Sequence, residues 1–439
     1  MRHANNLLLL GFGLAVLLPL NALAGGFSRA DGTSSYLGSA GAGHTTDRTA
    51  TAAFSNPAGL TGIGSAQLAL GAVTAYDELT FHDDGSDEVA GLPRERRRNG
   101  VDYGVGLNGG PSLFFAKPLS DRLSFGAALV SPYGGSSEFG NDWIGGYFTE
   151  DVELFTLQVS ASLGYRLNDQ WSIGAALGAQ YAQWELKTDL APVPFGPVNP
   201  GTIPPDHPMY QELLPPGSEQ KIKIDDVQPY WSLGVMWQPG ASTLFGVHYV
   251  PEIRHGLTGS SDISAPIPDM TVVGSYDASM KMSTPSSLTL GIRQQLSPRW
   301  TVLADIAHVG WSAWDESRVK LQGGPTVIVD RGWQDAMSYS LGFNFLATDR
   351  TLLKFGAGYD ESPVASARRK IDPPMDTQVT WALGLEHALT SRVSLALSYQ
   401  HLDMGDIRVE QEVFPGHVIR GHSDATSQQL QGTITVRFD

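Results

Sequence analysis

From residue 67 to the end of the chain the dominant sequence period is two. In the stretch 155–166, Phe155, Leu157, Val159, Ala161, Leu163 and Tyr165 alternate with Thr156, Gln158, Ser160, Ser162, Gly164 and Arg166. The stretch 171–184 repeats this, with Trp171, Ile173, Leu177 and Tyr181 set against Ser172, Gly174, Gly178 and Gln180, and 393–400 does so again. Successive strand side chains point to opposite faces, so such alternation specifies strands with one apolar face and one small or polar face. A β-sandwich shows the same alternation. Length separates the two: several runs here reach ten residues or more, beyond the ~5–6 of soluble sheets and matching the ~9–11 that cross a bilayer at a steep tilt.

The connections fall into two classes that alternate strictly. Short ones lie at Pro118–Arg122, Leu167–Gln170, Pro239–Ser242, Ser297–Arg299, Ala347–Arg350 and Leu389–Ser391; long ones lie near 83–100, 140–151, 189–226, 259–275, 322–335, 360–376 and 411–424. Six short and seven long connections require about fourteen strands, with both ends of the run on the short-turn side. The fold class is therefore an all-β membrane protein, a 14-stranded antiparallel transmembrane β-barrel with short periplasmic turns and longer external loops. Closure also removes the edges that so long a sheet would expose. Trp171, Trp300, Trp311, Trp314, Trp333, Tyr359 and Tyr399 fall at strand ends and are expected in the aromatic girdles at the membrane interfaces. The last strand alternates through Ile434, Val436 and Phe438, with Asp439 after it.

The N-terminus fits export to such a membrane. Arg2 and His3 precede the apolar run Leu7–Leu20, and Ala22-Leu23-Ala24 offers a small-x-small cleavage site, so residues 1–24 read as a signal peptide and Gly25 as the first mature residue. The apolar run is too short to span ~30 Å of hydrocarbon, and no later segment approaches the ~20 apolar residues of a helical span. The chain has no Cys, which excludes a lipid anchor and a disulfide framework. A net charge of −16 argues against nucleic acid as a partner. With 50 Gly, 9% aromatic and only 17% charged residues, the composition suits a many-stranded sheet rather than disorder.

Residues 25–66 break the pattern. They are small, polar and Gly-rich, with short helical possibilities around Thr45–Phe54. A pore of about fourteen strands leaves a lumen that leaks unless something fills it, and this segment is delivered to the short-turn end. Residues 25–66 are accordingly expected to form a plug and 67–439 the barrel. In the third strand, Pro132 cannot donate to a ladder and Gly134 and Gly135 add no side chains to the wall, so "LVSPYGGSSEFG" should bulge or kink there, unless the strand simply ends at Ser131.

The stretches "GGF…SAGAG…AFSNPAGL", "PLSDRLSFGAALVSPYG", "GYRLNDQWSIGAALGAQYA", "SLTLGIRQQLSPRWTVLADIAHVGWSAW" and "FGAGYDESPVASARR" resemble, in order and along nearly all of the mature chain, the FadL/TodX family. These are outer-membrane transporters of long-chain fatty acids and other hydrophobic compounds. The resemblance implies a barrel with an N-terminal hatch in its lumen and a kinked third strand that opens the wall sideways. Such a side exit spares an apolar substrate a water-filled pore. It further implies that Phe27 lies in the substrate pocket near the hatch, and that Asn56, Pro57 and Ala58 contact the wall around the kink. Asp360 and Glu361 would hold hatch amides by charge-assisted hydrogen bonds, an exposed acidic loop being the alternative. The Pro-rich loop Ala191–Gly217 would form an external capture site through Phe195, Ile203, Met209, Tyr210, Leu213 and Leu214. Lys187 is the nearest cation to the place where the family carries a carboxylate-binding Arg.

The basic run Pro93–Arg98 offers pairing with lipopolysaccharide phosphates, a solvated loop being the alternative. Enzyme motifs are missing: the chain has no HExxH, GxSxG or P-loop. Ser394 and Ser398 with His401 could be drawn as a catalytic set, but strand alternation explains them. The expectation is a monomer without cofactor or metal, inserted by the outer-membrane assembly machinery, that carries hydrophobic molecules passively. The competing reading is a general porin, water-filled and without a hatch; an adhesin-like barrel ranks third.

Overall fold

The computed structural model describes residues 34–87, 101–102, 106–108, 111–140, 143–146, 149–189, 218–264, 274–322, 326–371, 376–414 and 417–438. The proposed signal peptide 1–24, Phe27, the basic run 93–98 and the loop positions Phe195, Ile203, Met209, Tyr210, Leu213 and Leu214 lie outside them.

Fourteen antiparallel strands form one closed wall. They are β1 (Ala66–Asp83), β2 (in pieces Val101–Asp102, Gly106–Asn108 and Pro111–Pro118), β3 (Leu123–Val130 and Gly134–Glu138), β4 (Asp151–Arg166), β5 (Trp171–Asp189), β6 (Glu219–Gly240) and β7 (Thr243–Val250 and Ile253–Ser264). The second half comprises β8 (Gly274–Thr284 and Ser287–Gln295), β9 (Trp300–Val309 and Glu316–Leu321), β10 (Thr326–Asp330 and Ala336–Thr348), β11 (Thr351–Asp360), β12 (Gln378–Ala388), β13 (Val393–Phe414) and β14 (His417–Phe438). Each pairs with the next in sequence, and β1 pairs with β14 from Ala66↔Phe438 to Asp83↔Gly421, which closes the ring. The six short turns fall where the sequence places them.

The alternation resolves into an inside-out core. In β4, Leu157, Val159, Leu163 and Tyr165 are exposed, whereas Thr156, Gln158, Ser160 and Ser162 are buried. The same outward face leaves Leu177 70% and Leu383 61% exposed, a liability in water but the lipid-contacting surface of an outer-membrane barrel. Trp171, Trp300, Tyr359 and Tyr399 are exposed on this face, and Trp171 stacks on Trp237 with centroids 5.6 Å apart. Trp311, Trp314 and Trp333 depart from the girdle expectation, since all three are buried. At Gly310 the strand β9 gives way to a 3-10 turn, Trp311–Trp314, which carries the rings inward against Trp333 at 5.4 and 5.6 Å.

The segment before β1 lies inside this ring. A short helix α1 (Ser34–Leu37), a second turn of helix α2 (Ala52–Ser55) and a 3-10 turn (Pro57–Gly62) are linked by tight bends. Ala42, Ala50, Ala53, Asn56, Ala58 and Leu60 have no exposed surface. The helical possibility at 45–54 shrinks to α2 alone. In the 3-10 turn, Asn56 caps by accepting from Ala58 N at 3.1 Å, and Pro57 occupies the first position, where a missing N–H costs nothing.

Candidate functional site

The plug rests on a row of glycines that face the lumen. Gly164, Gly174 and Gly234 are direct register partners across β4, β5 and β6. A Cβ on Gly174 would stand 2.3 Å from Ala58 N, one on Gly164 2.5 Å from Pro57 O, and one on Gly234 1.9 Å from Asn56 Oδ1. Gly246 and Gly291, partners across β7 and β8, would place theirs 2.2 Å from Thr45 O and 2.1 Å from Thr45 Oγ1. Gly342 and Gly356, partners across β10 and β11, approach Ser39 in the same way. Side chains at these levels would occupy space that the plug backbone fills, so the glycines set its seat.

One carboxylate stands in this row. Asp305 of β9, the register partner of Gly291, accepts hydrogen bonds from Gly43 N, from Thr45 N at 3.2 Å and from Thr45 Oγ1 at 2.6 Å. It thereby ties two plug amides to the wall by charge-assisted bonds. Among the described residues Asp360 and Glu361 hold no plug amide. Glu361 instead accepts from Met337 N at 3.1 Å, within the wall, and both residues line the cavity above the plug.

The Asn-Pro-Ala corner faces a different wall from the one expected. Asn56 Nδ2 donates to Thr45 O at 2.7 Å and reaches Val235 O of β6 and Val247 O of β7 at 3.4 and 3.3 Å. Pro57 and Ala58 lie against β4, β5 and β6. Ala53 and Leu60 of the plug stand against Gly126 of β3.

β3 is broken at Ser131–Tyr133. Below, it pairs with β4 from Leu123↔Tyr165 to Val130↔Gln158; above, from Gly134↔Phe155 to Glu138↔Asp151. Ser131, Pro132 and Tyr133 thus oppose Thr156 and Leu157, a one-residue bulge. One backbone bond survives, Thr156 N to Tyr133 O at 3.1 Å, and the Thr156 hydroxyl adds to it, accepting from Tyr133 N at 2.9 Å and donating to Tyr133 O at 2.5 Å. Pairing of β3 with β2 ends at Leu113↔Leu129, and among the described residues none joins Gly134–Glu138 to β2. Gly134, Gly135, Ser136 and Ser137 are all buried, so the alternation of the lower piece is lost and the upper piece turns in from the wall.

A cavity of about 330 Å³ lies between plug and break. Its floor includes Tyr36, His44 and Phe54 of the plug, with the His44 ring 5.1 Å from Tyr36 and 6.4 Å from Phe54. Pro132 and Tyr133 lie in its wall beside Trp311, whose ring meets Tyr133 edge-on at 6.4 Å. A polar band crosses one side: Gln180 donates to Gln158 Oε1 at 3.2 Å and accepts from Thr284 Oγ1 at 3.0 Å. The lining is mixed: Asp305, Asp360, Glu361 and Asp376 lie on it with several amides and hydroxyls. The aromatic and aliphatic part, from the plug floor to Tyr133 and Trp311, is the part that suits a small apolar ligand.

Other candidates resolve into structure. Lys187 is held by Glu150 and Glu219 at 2.9 and 3.0 Å at the long-loop end, away from the cavity. Glu150, Asp189 and Glu219 could group around a metal ion, but the Lys187 ammonium already lies among them. Ser394 and Ser398 point inward whereas His401 pairs with Gln428 on the opposite face, so no catalytic set forms. Sequence reasoning missed the glycine row and Asp305. The available signal was a Gly at inward positions of consecutive strands, visible once strands are aligned by their short turns.

Comparison with known proteins agrees with this architecture. The family described as "Outer membrane protein transport protein (OMPP1/FadL/TodX)" matches residues 15–438. The "Long-chain fatty acid transport protein" of Salmonella typhi is 24% identical over 352 residues, covering 75% of this chain and 79% of its own. "Outer membrane protein P1" of Haemophilus influenzae is 21% identical over 400 residues, covering 87% and 86%. Among solved structures, a Pseudomonas aeruginosa FadL homologue superposes with a TM-score of 0.80 at 21% identity, covering 95% of this chain and 100% of that one. The Pseudomonas putida toluene transporter TodX does so at 0.66 and 20% identity, covering 96% and 100%. The chain belongs to the OMPP1/FadL/TodX family of outer-membrane transport proteins, and it is a barrel of the bacterial outer membrane rather than an enzyme.

Proposed function

We propose that this protein carries hydrophobic molecules, long-chain fatty acids or aromatic and aliphatic hydrocarbons, passively across the outer membrane. The substrate is gathered by the external loops, settles in the cavity above the plug, and leaves sideways through the break at Pro132, Gly134 and Gly135. Residues 25–66 act as the hatch, and Phe27 adds to the pocket near it. The observation that carries the reading is the continuity of one cavity from the plug floor at Tyr36, His44 and Phe54 to Pro132 and Tyr133 at the broken wall. Relatives bear the names of fatty acid transporters and similar folds those of toluene transporters, which supports hydrophobic substrates as the class. A general porin is disfavoured by a lumen filled at the short-turn end.

Two partners complete the proposal. The basic run 93–98 would pair with lipopolysaccharide phosphates, and the outer-membrane assembly machinery would insert the barrel. The test is uptake of a radiolabelled fatty acid and of a labelled monoaromatic by cells with the wild-type protein, with Gly134→Phe, and without the protein. Uptake should depend on the protein and fall in Gly134→Phe; a variant that folds and transports at the wild-type rate contradicts the lateral exit.

A further inference from the structure

The wall carries a second break of the same design. Between β6 and β7 a lower ladder reaches Tyr249↔Leu233 and an upper one begins at Thr258↔Asp225. Between them, residues 226–232 of β6 and 250–257 of β7 make no backbone pairing with each other, although all are described. Eight residues of β7 oppose seven of β6, the same one-residue slip as in β3. Prolines frame the break. Pro229 has no N–H to donate and is paired on its β5 side with Ala179, so its unpaired edge faces β7. Pro251 starts the interruption of β7 itself. Above it β7 swings inward, bringing His255 Nε2 within 3.2 Å of Gln180 Oε1 on β5, two strands away. A side chain again replaces backbone pairing: Asp226 Oδ2 accepts from Gly256 N at 2.9 Å.

The break is filled by side chains that also line the cavity. Tyr230, Val250 and Ile253 pack together with Ala176, and the first three face the same 330 Å³ space. Its outer lip carries Val227, 58% exposed, and the edge-to-face pair Trp231 and Tyr249 at 5.8 Å. This lip is the upper part of the apolar outward face of β6, which runs through Trp237, Leu233, Trp231 and Val227 and ends at Asp225. The plug grips the wall just below, where Asn56 reaches Val235 and Val247. Unpaired backbone at membrane depth is tolerated only where it borders a cavity or protein, which is the situation here.

We propose that this break is a second lateral passage, through which an uncharged hydrophobic molecule moves from the cavity between β6 and β7 into the outer leaflet. The proposal rests on the reading that the cavity takes hydrophobic substrates. Parting a paired ladder in lipid would leave several backbone groups unsatisfied, each costing several kcal/mol. Between 226–232 and 250–257 the movement displaces apolar side chains, the Asp226–Gly256 bond and the contact of His255 with Asp226 at 3.6 Å.

The chain has no Cys, so single cysteines can be placed freely in the full-length protein. Ile253→Cys and Met236→Cys, both inward and buried but respectively at the break and below it in wall paired on both sides, are labelled with bimane and reconstituted in phosphatidylcholine vesicles. Doxyl-labelled acyl chains should quench the label at 253 and not at 236; equal quenching at both overturns the proposal. Val250→Cys substitutes for Ile253→Cys if that variant does not assemble. In a second arm, Val227→Cys and Arg254→Cys, both outward, are joined by a short bis-maleimide. Hydrocarbon uptake should fall by roughly half relative to the unlinked double variant, as expected when one of two gated routes is closed; unchanged uptake also overturns it. A wild-type protein that takes up no hydrophobic compound would defeat the transport reading itself, while the quenching arm still decides whether the wall opens here.

Discussion

At the scale of single residues, the plug is retained by Asp305 and by the absence of side chains around it. Three hydrogen bonds converge on this carboxylate from Gly43 and Thr45, and a bond to a charged group contributes about 1.5–3 kcal/mol. Asp305→Ala is therefore expected to loosen the plug without unfolding the wall. Planar-bilayer recordings should show ion conductance well above wild type while the barrel keeps its heat-modifiable migration; wild-type conductance would place the anchor elsewhere. Asp305 was hard to read in advance because, in "WTVLADIAHV", it sits at an ordinary inward position of a strand. Its partner lies 260 positions away in sequence. Glu150, at the long-loop end, offers a pH test. Burial, then the hydrogen bond with Asp189, push its carboxyl from an ordinary value of 4.5 to about 7, against the pull of Lys187. The folded state then holds a proton that the unfolded chain has released, so the stability Glu150 contributes is full below pH 4.5 and is lost as pH rises to about 7. Thermal melting of wild type should drop between pH 5 and pH 8, and Glu150→Gln should flatten that drop; an unchanged slope contradicts it.

At the scale of elements, strand alternation and turn spacing are local properties, and the sequence carries them plainly. Fourteen strands, their short turns and the outward apolar faces could all be read from it. What depends on register between distant strands could not. The row Gly164, Gly174 and Gly234 exists only once β4, β5 and β6 are aligned. Trp311 and Trp314 departed from the girdle expectation because a 3-10 turn rotates side chains out of the period of two, and Trp333, in the interruption of β10, packs inward against both. Pro132 announced the break in β3, whereas Pro251 announced the one in β7 and went unread. The β3 break owes its shape to Thr156, whose hydroxyl serves both backbone groups of Tyr133. Thr156→Val leaves the partly buried Tyr133 amide without that partner, at a cost of up to about 1–3 kcal/mol. Hydrogen exchange at the Tyr133 amide should accelerate while amides of the paired run 123–129 stay protected; unchanged exchange at Tyr133 would mean that the hydroxyl does not hold the break.

At the scale of the whole molecule, one wall solves two problems with opposite faces. Its outer face is apolar enough to sit in lipid, and its inner face is small and polar enough to seat a plug and leave a cavity. That division made the family legible from sequence, because the segment inside the ring, the wall and the break in β3 each have a distinct local composition. Substrate identity is less legible: the loop 191–217 and Phe27 fall outside the described residues, and the cavity lining mixes apolar, amide and acidic side chains without a diagnostic motif. A greasy, plugged and lateral path differs from an aqueous pore in what it conducts. Flux of a labelled hydrophobic compound and ion conductance, recorded on the same reconstituted wild-type protein, therefore separate the two. Protein-dependent hydrophobic flux is expected, with conductance near that of the empty bilayer; large, steady ion conductance without hydrophobic flux would contradict the lateral path.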